Sequence, residues 1–314
     1  MSVFGPGNTA VITGGASGIG LALAAKCLAS GMRVLVADKD AASLAATPKH
    51  AAQLAETLYG GASASGSLTT HTLDVSQLKD WAGLRSAVED ASGPLQGRVN
   101  LLVLNAGVGG STPWTDVAAF HKILDVNLWG VIHGIATLLP VVQATAARAN
   151  DAPTATTTSI VITGSKQGIT NPPGTSPAYN ASKAAVRAIA EQLAYDLSRE
   201  DSKAHQPKTG VHLLVPGWTF TGLSGNDPIK QHGDDADKRP KKPEGAWWPE
   251  QVVDYLLAAM KANKFYVICP DNDVTDAMDK KRILWSAGDI TEGREPLSRW
   301  RPSYKDAVDA WMKK

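Results

Sequence analysis

The chain has 314 residues, a length suited to one large α/β domain or two smaller ones, and 43% of them are apolar, enough for a sizeable core. A formal net charge of +1 gives no electrostatic footprint for nucleic acid or for an anionic membrane surface. The two cysteines, Cys27 and Cys269, fall in apolar helix and strand patterns, which argues against a disulfide framework or a zinc site. The N-terminus shows no secretory pattern and no apolar run reads as long enough to span a bilayer, so a soluble, reducing, cytoplasmic setting is expected.

Residues 9–13 read as a buried strand, followed at once by the glycine-rich turn Gly14-Gly15-Ala16-Ser17-Gly18-Ile19-Gly20, a helix over 21–30 and a second strand over 33–38. This is a βαβ unit whose first turn lets backbone approach a pyrophosphate at a helix N-terminus. Asp38 ends the second strand, where a carboxylate accepts from both ribose hydroxyls and repels a 2′-phosphate, so NAD is favoured over NADP. The adjacent Lys39 softens that discrimination. Further on, 41–58 reads as helix apart from Pro48, 60–70 as a small-residue surface loop, and 71–75 as a short strand ending at Asp74 and Val75. A helix over 77–92 and an apolar strand over 99–104 follow, the latter leading into Asn105-Ala106-Gly107. This alternation implies a parallel sheet covered on both faces.

A long helix is expected over 117–148, with Asn127 among apolar neighbours; the amide marks a local bend or a bound water, or else is a satisfied core group. After a Thr/Ala/Pro loop over 151–159, a buried strand ends near Ile162 and Ser165 follows at its carboxyl end. A helix then runs over 177–199, carrying Tyr179 and Lys183 four residues apart on one face. An ammonium near the phenol would lower the Tyr179 pKa and make it a usable proton donor or acceptor, with the Ser165 hydroxyl on the same substrate oxygen. By itself the pair also fits an ordinary amphipathic helix.

A strand over 211–215 leads to Pro216-Gly217-Trp218-Thr219-Phe220-Thr221, and 222–249 reads as a long loop, either a functional lid or a disordered segment. Trp218 and Phe220 are candidates for the substrate wall, or pack beneath the loop; Lys238, Arg239, Lys241 and Lys242 are a basic cluster that reads best as a solvated loop. A helix over 249–263 and a last strand over 265–269 complete a domain of residues 1–270, with 271–314 a helical extension packed on it. Six of the nine tryptophans follow residue 215, so the last third should hold an aromatic wall, cap or interface, with core packing claiming most of them.

Taken together, the residues from about 7 to 270 resemble the classical short-chain dehydrogenase/reductase family, with a doubly wound Rossmann-type sheet. Thr13 to Gly20 is similar to the family's TGxxxGxG cofactor turn, with Gly14, Ser17, Gly18, Ile19 and Gly20 as its contacts. Asp74, with Val75, resembles the adenine-side acid, and Asn105-Ala106-Gly107 the NAG element. Asn127, Ser165, Tyr179 and Lys183 resemble the catalytic tetrad, and Pro216, Gly217, Thr219 and Thr221 the PGxxxT element at the nicotinamide. The serine lies one residue further from the tyrosine than in many members.

The resemblance implies metal-free hydride transfer between NAD and a secondary alcohol or ketone. Tyr179 is then acid or base, Lys183 lowers its pKa and holds the nicotinamide ribose, and Asn127 positions a water. It also implies a homodimer or homotetramer, paired through the helices at 117–148 and 178–199. A sugar-nucleotide epimerase or dehydratase fits the YxxxK pattern but carries a TGxxGxxG turn; a cofactor-binding regulator or scaffold would not need the tetrad.

Overall fold

The computed structural model describes residues 3–61, 66–148, 158–198, 209–224, 242–271 and 273–313. Its strands are β1 (Thr9–Thr13), β2 (Arg33–Asp38), β3 (Ser67–Thr72), β4 (Leu101–Leu104), β5 (Thr158–Thr163), β6 (Thr209–Val215) and β7 (Tyr266–Ile268). They form one parallel sheet in the order β3-β2-β1-β4-β5-β6-β7. β1, β4 and β5 are buried at every position, as central strands are when helices cover both faces, with Thr and Ser only at the ends of β1 and β5. The chain reverses its direction of travel across the sheet between β1 and β4, which opens a crevice at the carboxyl ends of those strands.

The helices are α1 (Gly18–Ala29), α2 (Ala41–Tyr59), α3 (Leu78–Glu89), α4 (Val117–Leu124), α5 (Gly130–Ala147), α6 (Gln167–Thr170), α7 (Pro177–Ser198), α8 (Pro249–Lys261), α9 (Asp276–Thr291) and α10 (Lys305–Lys313). Strand parity decides which layer each apolar side chain joins. Ala10, Ile12, Val34 and Val36 pack with Leu23 and Cys27 of α1 and with Val252 and Leu256 of α8. Val11, Leu35, Leu102 and Leu104 face the opposite way, onto Trp81 of α3, Leu138 and Val142 of α5, and Val186 of α7.

Four expectations change. The small-residue segment read as loop over 60–70 contributes β3 from Ser67, paired Val34 to Leu68; as an edge strand it does not need large apolar residues. Pro48 does not interrupt α2. It is exposed, so water can serve the carbonyl that its missing N–H leaves free, while Leu44, Ala51 and Leu54 still bury one face. The long helix over Val117–Ala147 is interrupted by a π turn at Asp125–Trp129, centred on Asn127. Contrary to expectation, this 31-residue run is long and apolar enough to cross a bilayer by length and composition, although half of its most apolar window is buried within the fold.

Beyond β7, Trp285 of α9 is buried against Trp311 of α10, with ring centroids 6.0 Å apart, and donates to Ser298. These tail tryptophans pack the extension rather than wall the crevice. The expected loop at 151–157, most of the lid over 225–241, and Lys238, Arg239 and Lys241 lie outside the described residues.

Candidate active site

The carboxyl ends of the strands frame a cleft of about 740 Å³. Gly14, Ser17, Gly18, Ile19, Asp38, Asp74, Val75, Asn105, Ala106, Gly107, Ser165, Tyr179, Lys183, Pro216, Gly217, Thr219 and Thr221 all line it. Gly20 and Asn127, also expected at the site, lie behind its wall.

One end of the cleft is a backbone cradle. Gly14 and Gly18 hold positive φ, +62° and +53°, and Gly18 opens α1, whose first-turn N–H groups have no partner within the helix; Ser17, Gly18 and Ile19 at that helix start line the cleft. A Cβ at Gly20 would overlap the Gly14 carbonyl, which is why this position supports the turn from beneath instead of lining it. Asp38 accepts from the amide of Ala16 (3.3 Å), tying the end of β2 to the same turn. Asp74 accepts from the amide and the hydroxyl of Ser76 at 3.0 and 2.7 Å, which fixes its carboxylate at the cleft. Asn105 joins three strand ends: its amide donates to the Thr13 and Gly14 carbonyls (both 3.2 Å) and its oxygen accepts from Thr163 (3.1 Å). The cradle fits a dinucleotide: a Cβ at Gly14 would meet the Ala106 backbone at 2.7 Å and one at Gly18 the Thr221 side chain at 3.0 Å, so glycine is what lets this turn close tightly at the start of a helix, where a pyrophosphate can meet backbone N–H groups.

The other end carries the titratable groups. Lys183 is buried on α7 and donates to the Thr163 carbonyl at 2.8 Å; its ammonium lies 5.8 Å from the centroid of the Tyr179 ring. Burial lowers the Lys183 pKa to about 8. Burial also raises the Tyr179 phenol, a shift opposed by its hydrogen bond with Ser165. The expected lowering of Tyr179 by Lys183 is therefore not what this arrangement produces: the phenol is desolvated, and its main relief comes from Ser165. The Ser165 hydroxyl also accepts from the Gln167 amide (3.2 Å), which orients it at the start of α6.

Asn127 is fully buried in the π turn. Its oxygen accepts from the Val108 amide (2.8 Å), while its amide donates to the Val108 carbonyl (3.0 Å) and to Ser182 (3.2 Å). The residue is thus both the bend and the satisfied amide that the sequence left as alternatives. It clamps the chain leaving Gly107 to α7.

Trp218 is half exposed at the cleft and Leu223 lies beside it, but Phe220 is buried edge-on to Trp248, 5.4 Å away, and does not line the wall. The loop after Ser165 also lines the cleft, through Lys166, Gln167, Thr175 and Ser176, and so does Asp271, which sequence reasoning missed. Lys166 and Gln167 were within reach as neighbours of Ser165; nothing in the sequence signals that Asp271 returns from beyond β7. Among the described residues, no group of three His, Cys, Asp or Glu side chains is arranged to hold a metal ion.

The short chain dehydrogenase family model matches residues 8–228. A rhamnolipids biosynthesis 3-oxoacyl-[acyl-carrier-protein] reductase of Pseudomonas aeruginosa is 30% identical over 258 residues, covering 80% of this chain and 88% of that one. An NADP-dependent (R)-specific alcohol dehydrogenase of Lentilactobacillus kefiri is 30% identical over 241 residues, covering 76% and 83%. Among solved structures, a short chain dehydrogenase/reductase from Burkholderia phymatum in complex with NAD superposes with a TM-score of 0.71 at 26% identity, covering 94% of this chain and 98% of that one. The chain belongs to the short-chain dehydrogenase/reductase family and is an oxidoreductase of that family.

Proposed function

We propose that the protein transfers a hydride between a nicotinamide cofactor, preferably NAD, and a secondary alcohol or ketone, with Tyr179 as the general acid or base. The observation that carries this reading is the convergence of Ser165, Tyr179 and Lys183 on one wall of a cleft whose opposite end is a glycine cradle. Gly14, Ser17, Gly18 and Ile19 would hold the pyrophosphate, Asp38 the adenosine ribose, and Asp74 and Val75 the adenine. Asn105, Ala106, Gly107, Pro216, Gly217, Thr219 and Thr221 would flank the nicotinamide half. Bound there, a nicotinamide supplies the hydride donor or acceptor.

The chain's own residues manage the proton. Ser165 and Tyr179 share a hydrogen bond, so a substrate oxygen placed between them meets two hydroxyl groups. Tyr179 gives its proton to the developing alkoxide of a ketone, or takes the hydroxyl proton of an alcohol. Desolvation holds Tyr179 protonated, which suits the acid role in ketone reduction. Lys183 stands behind it, and Asn127 ties the 107–108 backbone to α7 so that this spacing persists. Trp218 and Leu223 favour a substrate with an apolar body. Asp38 supports the preference for NAD; the Lentilactobacillus relative, named NADP-dependent, is the reason to measure it. Residues 1–270 would form the catalytic unit with 271–314 packed on it, and two or four copies would assemble through α4, α5 and α7.

Initial rates with NADH and NADPH across a panel of diketones and aryl ketones test the reading. Tyr179→Phe should abolish turnover and retain NADH binding by fluorescence titration. Turnover that survives in this variant removes Tyr179 from the chemistry, and a strong NADPH preference removes the role given to Asp38.

A further inference from the structure

The segment after β7 lies outside the region matched by the family model, yet one of its residues reaches the cleft. Asp271 is held in a tight turn, exchanging backbone hydrogen bonds with Val274 at 3.1 and 3.2 Å. Its carboxylate lies against Gly217 so closely that a Cβ at that position would overlap it. One oxygen accepts from the Trp218 amide at 2.8 Å; the other meets the Lys166 ammonium at 3.2 Å. Lys166 also pairs with Asp279 of α9 at 2.6 Å, an ion pair lying outside hydrogen-bond geometry. All three side chains are largely withdrawn from solvent, at 19% exposure for Lys166, 14% for Asp271 and 9% for Asp279.

Lys166 follows Ser165 directly and its carbonyl accepts from the Ile169 and Thr170 amides, so it anchors the first turn of α6. The far side of that turn is fixed by Gly168, whose Cα packs on the backbone of Lys183 with no space for a side chain. The short helix carrying the Ser165 loop is therefore wedged between α7 and α9. We propose that Lys166 and Asp271 are positioning residues through which the C-terminal extension sets the site: Lys166 holds Ser165, and Asp271 holds the Gly217-Trp218 turn. Losing the ammonium would leave two mostly buried carboxylates facing each other and free the turn to move. A small displacement of an oxygen-binding hydroxyl lowers turnover far more than cofactor affinity.

The kinetic half of the test rests on the oxidoreductase reading; the exchange half does not. Hydrogen–deuterium exchange with mass spectrometry on the full chain should show the peptide containing Trp218 exchanging about fivefold faster or more in Asp271→Ala. The rate should stay near wild type in Asp271→Asn, which keeps an acceptor for the Trp218 amide. With a ketone that the wild type reduces, Lys166→Met should lower kcat about tenfold or more while the NADH Kd stays within about twofold, and Lys166→Arg should recover most of the loss. Wild-type exchange in Asp271→Ala overturns the proposal, as does a fall in kcat that tracks the melting temperature and is not recovered by arginine. If the wild type reduces no ketone at all, the proposed alcohol/ketone activity fails, and the exchange measurement alone decides this one.

Discussion

The decisive groups at the residue scale are Tyr179 and Lys183, whose position and charge differ in how they follow from sequence. Their spacing on one helix face is a local property, visible in five consecutive residues. Their protonation depends on burial by strands and loops distant in the chain: Thr163 holds the ammonium and Ser165 the phenol, and burial moves both pKa values toward the neutral form. For Lys183 the consequence is thermodynamic. Its pKa falls from 10.5, the ordinary value of a solvated lysine, to about 8 in the fold. Between those values the unfolded chain keeps a proton that the folded chain has released, so stability rises with pH across this window, and the whole burial penalty is present below it. Lys183→Met should therefore remove turnover yet raise the unfolding free energy at pH 7 by roughly 1–3 kcal/mol, a gain that shrinks toward pH 10.5. Urea unfolding at both pH values measures this. A variant less stable than wild type at both would mean that the bond to the Thr163 carbonyl outweighs the cost of burying the charge.

At the scale of elements, alternation of strand and helix was legible because each βαβ unit carries its own signals: an apolar run, a glycine or carboxylate at its end, then a helical period. The glycine turn, Asp38, Asp74 and Asn105 could be placed in the cleft from such short-range marks. β3 was partly misread because an edge strand built of Ser and Thr lacks the apolar run that signals its neighbours. Phe220 was left open between the substrate wall and the underside of the loop because an aromatic in a loop can turn outward or inward, and Trp248, 28 positions along, decides which. Asn127 shows the opposite case. An amide amid apolar residues marked the position as a bend, a water site or a satisfied core group, and the π turn supplies the bend while the Asn127 side chain bonds Val108. Asn127→Ala leaves the amide and carbonyl of Val108, a half-buried residue, without these partners, so it should cost about 1–3 kcal/mol of stability. Because Val108 adjoins Gly107 at the cleft, NADH affinity should weaken as well. Unfolding and fluorescence titration of the same preparation test both effects; unchanged NADH affinity would confine Asn127 to a structural role.

For the whole molecule, the sequence placed a sheet and a cleft but not the return of the chain across it, because the pairing of Lys166 with Asp271 spans 105 residues and leaves no periodic trace. The outward surface raises the remaining question of assembly. Val117 on α4 is 66% exposed and Tyr195 on α7 is 64% exposed, while Trp114, just before α4, is 81% exposed and stacks on Phe120 with ring centroids 5.9 Å apart. α4 and α7 pack against each other, so this apolar surface belongs to two neighbouring elements rather than to scattered side chains. Ile123 of α4 and Val186 of α7 are buried in the fold, whereas the exposed side chains lie on the faces that the proposed assembly would use. A charge at the centre of such an interface would be buried without a partner and should dissociate it. Val117→Glu combined with Tyr195→Glu should shift sedimentation equilibrium from a dimer or tetramer to the monomer, and should remove any dependence of melting temperature on protein concentration. Because neither side chain lines the cleft, NADH binding by the resulting monomer would separate assembly from site formation. An assembly that withstands both charges would place the interface on another face.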